Sequence, residues 1–397
     1  MEKKMSKRLF ARATLTCASL CCSASLRASD GAIPIYQATT ITASGSYVVT
    51  RDLSVGGAAI QIQAPHVDLD LGGHLVTSTG GVAISITEAS SITIRNGVLD
   101  GGTDGVVVSL GSVAGDAVTS VVLERLRVQS VGDRGLEVTT QRPTRVEVHD
   151  VHIVNATGYG IYVAGGRGCS VRVRETTIQK TQRGIYTYGV PTVDIAGCTI
   201  RSTTEQGIDV TGPQDDPPGV ASIVGNILED IGTDGIEVGW VAGGAITGNR
   251  IVHIGVGTSP NPILGISLAR GVSTTSGVLV STNIVRCGST SVDGIAVAIS
   301  GRDNTIRDNV VSDCRSGIQS FAPGVRIVSN ESLGNSQYGV YVSAARCVVE
   351  SNQVRGNSCG LYLTGATASV PYRDNVLNGN TSAVCGSGGS DKGGNIF

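Results

Sequence analysis

The stretch Gly160-Ile-Tyr-Val163, echoed by Gly184-Ile-Tyr-Thr187, Gly207-Ile-Asp-Val210 and Gly235-Ile-Glu-Val238, decides how this chain folds. A glycine, an aliphatic residue, a free position and a second residue of aliphatic type recur twelve times. The frames open at Gly81, Gly105, Gly135, Gly160, Gly184, Gly207, Gly235, Gly265, Gly294, Gly317, Gly339 and Gly360. Their intervals stay between 21 and 30 residues, and the residue after each glycine is always Val, Ile or Leu. A single enclosed core needs no such period. A stack in which each unit buries its apolar face against the next one does.

Within each unit the apolar residues alternate with period two, as in Val146-Glu-Val148 and Val171-Arg-Val173, so the units read as about three short strands each. A second column follows the middle strand in the pattern φ-x-x-N-x-φ. It holds Asn226, Asn249, Asn283, Asn309, Asn330, Asn352 and Asn375, with Cys198, Thr176, Val151, Leu126 and Gly97 at the same place earlier. Asparagine tolerates left-handed backbone and bonds its own turn, so a stack of them can bridge unit to unit.

On these two columns the chain resembles the right-handed parallel β-helix proteins, the pectate-lyase-like superfamily, over roughly residues 35–397. The segment Val67-Asp-Leu-Asp-Leu-Gly-Gly-His-Leu-Val76 is similar to the opening coil of many secreted members. The resemblance implies an all-β chain forming a single-stranded right-handed parallel β-helix, a solenoid of about 12–13 coils. It leaves activity open, because that superfamily hosts lyases, hydrolases, epimerases and non-catalytic members.

Residues 1–29 read as a signal peptide: Lys3, Lys4, Lys7 and Arg8 precede an apolar stretch from about Ala13 to Leu26, with small residues around Ala24 and Ala28. A lipid anchor on Cys17, Cys21 or Cys22 is the lesser alternative. Residues 30–80 are expected to form N-terminal opening coils and a cap, 81–385 the β-helix, and 386–397 a C-terminal tail. Beyond residue 29 the chain carries 24 basic and 31 acidic residues, a balance that makes nucleic acid a poor partner. No later stretch approaches the roughly 18 apolar residues that span a bilayer, so no transmembrane anchor is expected and the protein is placed outside the cytoplasm, secreted or periplasmic. Seven cysteines remain in that part, an odd number without a CxxC pair, and they suit coil interiors.

In each frame the free side chain points outward, so these positions form an exposed column with neighbours one coil apart, about 4.8 Å. The column reads Ala83, Val107, Glu137, Tyr162, Tyr186, Asp209, Glu237, Ser267, Ala296, Gln319, Tyr341 and Tyr362. The residues before each glycine form a second column that includes Arg134, Tyr159, Arg183, Asp234, Asp293 and Tyr338. Trp240 follows the strand of Glu237. Rows of aromatic rings between acids and arginines suit an extended, acidic polysaccharide, with sugar rings on Tyr159, Tyr162, Tyr186 and Trp240 and with Arg134 and Arg183 on its carboxylates. Stacked tyrosines that merely reinforce the surface fit the same pattern.

Asp209 and Glu237, one coil apart, are the sharper feature. One can be protonated and the other ionised, as a glycoside hydrolase requires. Calcium held by Asp209, Glu237 and Asp234 would fit a polysaccharide lyase instead, with Arg183 stabilising charge. Gly232-Thr-Asp-Gly-Ile-Glu237 is also similar to the Asn-Thr-Asp-Gly-Ile-Asp strand of polygalacturonases, which would make Asp234 the acid; Gly232 replaces its asparagine, and no paired aspartates follow. A non-catalytic envelope or adhesive rod is the competing class. Loops 212–220 and 255–264, rich in Gly and Pro, interrupt the period beside these acids and are candidates to wall a site.

Overall fold

The computed structural model describes residues 31–111, 118–214, 218–257, 261–269, 273–364 and 369–397. The proposed signal peptide and Cys17, Cys21 and Cys22 lie outside them. Among the described residues there are strands and turns but no helix, and the strand pairings are parallel. One coil illustrates the path. Tyr159–Ala164 lies on a first sheet, and Ser170–Arg174 and Thr177–Gln179 lie on two ladders of a second, which long strands such as Thr119–Gln129 join; the chain then returns to the first as Arg183–Tyr188, paired with Tyr159–Ala164.

The first sheet stacks 15 strands in chain order, from Thr39–Ile41 to Ser382–Cys385. At about 4.8 Å per strand it is roughly 65 Å long. The count exceeds the expected 12–13 coils because Thr39–Ile41 and Ile60–Ile62 stack ahead of the first glycine frame and Ser382–Cys385 follows the last. These strands pair as the others do without carrying the glycine.

The glycine is required by close approach. A Cβ on Gly184 would lie 2.3 Å from the carbonyl oxygen of Gly207 and 2.7 Å from Ile200 Cγ2 of the second sheet, so this corner has no room for a side chain. The frame at Gly81 is out of step. Ile84, not Val82, pairs with Val106, so Ala83 takes the glycine's place, fully buried, and Ser85 takes the free position. The run Val-Ala-Ile-Ser-Ile fits the frame in either register, and only pairing separates the two. Inside, Ile161, Ile185, Ile208, Ile236, Ile266, Ile295 and Ile318 form one aliphatic stack, each at most 1% exposed. Each such burial contributes about 1.5–3 kcal/mol.

The asparagine column is a buried ladder. From Asn226 to Asn375 each side-chain amide nitrogen donates to the Oδ1 of the next asparagine at 2.9–3.0 Å, and the last donates to Asn395 Oδ1 at 3.1 Å. The left-handed residue of the turn is not the asparagine but the one before it: Gly225, Gly248, Thr282, Asp308, Ser329, Ser351 and Asp374. The asparagines are selected for their two-sided amide, not for backbone tolerance. A shorter ladder, Asn335 to Asn357 to Asn380, runs beside it at 2.9 Å per step. Its signal is the repeated Gly334-Asn335, Gly356-Asn357 and Gly379-Asn380, five residues after the first ladder's asparagines.

Four cysteines pair across neighbouring coils, Cys287 with Cys314 and Cys359 with Cys385. Cys169, Cys198 and Cys347 are free thiols buried in the coils.

Candidate functional site

The free positions stack as an outward column on the first sheet. Val107, Glu137, Tyr162, Tyr186, Asp209, Glu237, Ser267, Ala296, Gln319, Tyr341 and Tyr362 are successive Cα partners without a slip. Ala83 is not among them. Sequence spacing of 21 to 30 residues thus becomes contact distance between side chains.

Tyr159, Tyr162 and Tyr186 form one cluster, with ring centroids 5.4–5.7 Å apart. An arginine caps each side. Arg134 lies over Tyr162 at 4.8 Å, with its Nη1 2.6 Å from Glu137 and its Nε 3.6 Å from Asp133. Arg183 lies over Tyr186 at 5.1 Å, donates from Nε to Glu205 at 2.7 Å and from Nη1 to Asp209 at 3.2 Å. Tyr159 sits between the two guanidinium groups, 5.6 Å from each. Burial works against the charge on Arg183, yet its partners Glu205 and Asp209 hold its pKa above the ordinary arginine value. Burial, and then the Asp209 carboxylate, push the Tyr186 hydroxyl up to about 12, and burial raises Tyr162 as well.

Asp209 is 7% exposed and also accepts a 3.5 Å contact from Thr211 Oγ1. Glu237 is half-buried and accepts from Gln206 Nε2 at 3.2 Å. Asp234 is fully buried, and its Oδ1 accepts from the backbone N–H of Leu264 at 2.7 Å. Asp104 and Asp293, which also precede a frame glycine, do the same to Arg134 and Ser316 of their next coils. Asp-Gly in this frame is therefore a recurring coil-to-coil tie, and Asp234 is one instance of it. Trp240 occupies a left-handed corner, its carbonyl accepting from Gly219, and no ring contact joins it to the tyrosines. Among the described residues no three His, Cys, Asp or Glu side chains converge as a metal site would require.

Glu205 and Gln206 were missed by sequence reasoning, although their place just before Gly207 marks them for the same edge as Arg183. Also missed was the pairing of Asp293 with Arg315, bonded from Nε at 2.9 Å and again through Nη2. A second aromatic cluster, Tyr338, Tyr341 and Tyr362, extends to Phe321, two residues beyond Gln319 on the same face. Of the two long loops, residues 215–217 and 258–260 lie outside the described residues.

A family profile described as "Right handed beta helix region" matches residues 80–257 and 183–397, which together span most of the sequence. The chain belongs to the right-handed β-helix family. No curated protein matches it in sequence. Solved β-helices are similar in fold. The periplasmic alginate epimerase AlgG is 14% identical over 86% of this chain and 78% of its own, with a TM-score of 0.45. A mutant tailspike protein of E. coli bacteriophage HK620 is 13% identical over 93% and 72%, with a TM-score of 0.48. PfbA, a surface adhesin of Streptococcus pneumoniae, is 11% identical over 86% and 85%, with a TM-score of 0.41. At these identities the likeness is one of fold, and the function of this right-handed β-helix has to be argued from its own side chains.

Proposed function

We propose that this protein binds an extended polysaccharide along the outward face of the first sheet, across Tyr162, Tyr186, Asp209 and Glu237. The observation that supports this is the unbroken register of those four residues, which offers rings and polar groups at intervals of one coil. Sugar rings stack on aromatic faces while their hydroxyls bond to carboxylates and amides. The charge on this face favours a neutral, hydroxyl-rich chain over the acidic one expected from sequence. Among the described residues Arg134 and Arg183 face Glu137, Glu205, Asp209 and Glu237, and each arginine already contacts two carboxylates. Two disulfides fit an oxidising compartment, in keeping with a secreted or periplasmic protein. No helix among the described residues is long and apolar enough to cross a membrane.

The test is retention of the residue 30–397 chain on neutral glucans and galactans, with alginate and polygalacturonate as acidic counterparts. Tyr186→Ala is expected to weaken retention about three- to tenfold, the worth of one aromatic contact. Equal retention of wild type and variant would remove the reading.

One observation favours turnover as well as binding. Asp209 and Glu237 are direct Cα partners in adjacent strands, so their side chains leave the backbone about 4.8 Å apart, a base from which two carboxyls can reach the roughly 5–5.5 Å separation of retaining glycoside hydrolases. In that reading Asp209, held by Arg183, is the attacking carboxylate, and Glu237 is the second carboxyl group. Release of reducing ends that disappears in Asp209→Asn and Glu237→Gln, with binding intact, supports a hydrolase. Binding without turnover assigns the protein to the non-catalytic adhesive class.

A further inference from the structure

Beyond Glu237 the outward column carries no acid and no base. It reads Ser267, Ala296, Gln319, Tyr341 and Tyr362, and the last strand adds Cys385. In the column beside it Asp293 and Arg315 are bonded to each other and neutralise one another. The second aromatic cluster therefore stands in an uncharged part of the face. Among the described residues guanidinium groups lie over Tyr159, Tyr162 and Tyr186, and none lies over Tyr338, Tyr341, Tyr362 or Phe321.

Stacking along the rod accounts for Tyr341 and Tyr362, whose rings are 5.5 Å apart and 9° from parallel. It does not account for Phe321. That residue follows the strand Ser316–Ser320, and the coils on either side put Ala298 and Ser343 at its place, so no ring continues its row. Its ring is 38% exposed, steadied by Tyr341 at 5.3 Å and tilted 45° to it. Beside it lies a depression of about 230 Å³ that Ala296 and Gln319 also line. A phenyl ring has no polar atom that gains from water. Held at the surface by a neighbour, it is a contact for another apolar face, such as that of a sugar ring.

Six strand steps separate Tyr186 from Tyr341, through Asp209, Glu237, Ser267, Ala296 and Gln319, roughly 29 Å at about 4.8 Å each. We infer that Phe321, with Tyr338, Tyr341 and Tyr362, is a second binding platform for uncharged sugar units, and that one polysaccharide strand occupies both platforms at once. The inference rests on the polysaccharide reading and adds a second site to it. When one ligand reaches two sites the second contact becomes intramolecular, so a strand that spans both gains up to about 10²–10⁴-fold over either contact alone. A strand too short to span gains nothing. Because the acids lie between the platforms, a strand held at both crosses Asp209 and Glu237 with its interior instead of its end.

Equilibrium titration of the residue 30–397 chain with trimers and decamers of mixed-linkage β-glucan, β-galactan, alginate and polygalacturonate tests it. A trimer falls short of the span and a decamer exceeds it. At least one neutral decamer is expected to bind tenfold or more tightly than its trimer. Phe321→Ala should weaken that decamer about three- to tenfold, with an unchanged melting temperature, and Phe321→Trp should restore it. The trimer should still bind Tyr186→Ala and Phe321→Ala and be lost only in the double variant. A ring that merely braced the stack would not make affinity depend on ligand length. Wild-type decamer affinity in Phe321→Ala, with Tyr186→Ala weakened, overturns the second platform and leaves the polysaccharide reading standing. Weakening by Phe321→Ala but not by Tyr186→Ala removes the first platform and with it the simultaneous engagement. Dependence on Phe321 for the acidic decamers alone overturns the uncharged assignment, and failure of every oligomer removes both readings.

Discussion

Asp209 and Glu237 are Cα partners in adjacent coils, yet their carboxylates bond to different neighbours, Asp209 to Arg183 and Glu237 to Gln206. Two bare carboxylates about 5 Å apart would repel by about 3 kcal/mol at an effective dielectric of 20. Arg183 offsets that repulsion at Asp209 and at the same time covers Tyr186.

Arg183→Met should therefore destabilise the fold by about 1–3 kcal/mol in urea unfolding, because it strips a charged donor from both Glu205 and Asp209. Adding Asp209→Asn should return part of the loss. Strict additivity of the two changes would show that the pair is not coupled.

Tyr186 links stability to alkaline pH. Its hydroxyl holds its proton up to about 12 in the folded chain, against about 10 when unfolded. Between those values the unfolded chain loses a proton that the folded chain keeps, so this contribution is complete below about pH 10 and is lost as pH rises to about 12. The melting temperature of wild type should fall more steeply than that of Tyr186→Phe over that window. Parallel curves would refute the assignment.

Asn309→Ala should be among the costliest single changes in the chain. It removes the Oδ1 that accepts from both the backbone and the side-chain nitrogen of Asn283, leaving two buried donors unpaired. A loss on the order of 3 kcal/mol is expected from chemical denaturation. Asn395→Ala, at the exposed end of the ladder, should cost much less.

Peptide mapping without reductant should recover Cys287 linked to Cys314 and Cys359 linked to Cys385, with Cys169, Cys198 and Cys347 alkylated only after unfolding. Loops of 27 and 26 residues make each link worth roughly 3–4 kcal/mol by chain entropy, so reductant should lower the unfolding midpoint.

The period was legible because stacking writes it into the sequence. Every free position from Val107 to Tyr362 falls into the register that the glycine frame predicts. Gly81 misled, since the corner of that coil holds Ala83 and the flanking residues allow either frame. The outward direction of Tyr162, Tyr186 and Asp209 could be read as well; their partners could not. Arg183 reaches Glu205 and Asp209 through a flexible side chain whose direction no spacing encodes. Asp234 had the composition of a catalytic acid, and only the repeat of its bond at Asp104 and Asp293 reveals a structural duty.

The amide ladder starts at Asn226, and both disulfides lie beyond it, so the rod is braced unevenly from end to end. Where each coil touches only its neighbours, that imbalance gives unravelling a direction: heated or pulled, the chain sheds its early coils while the later ones hold. Tyr162 and Tyr186 belong to the weaker half. A polymer lying across them and onward to Phe321 would splint that half from outside, so tension along the bound strand would be carried by the coils built to resist it.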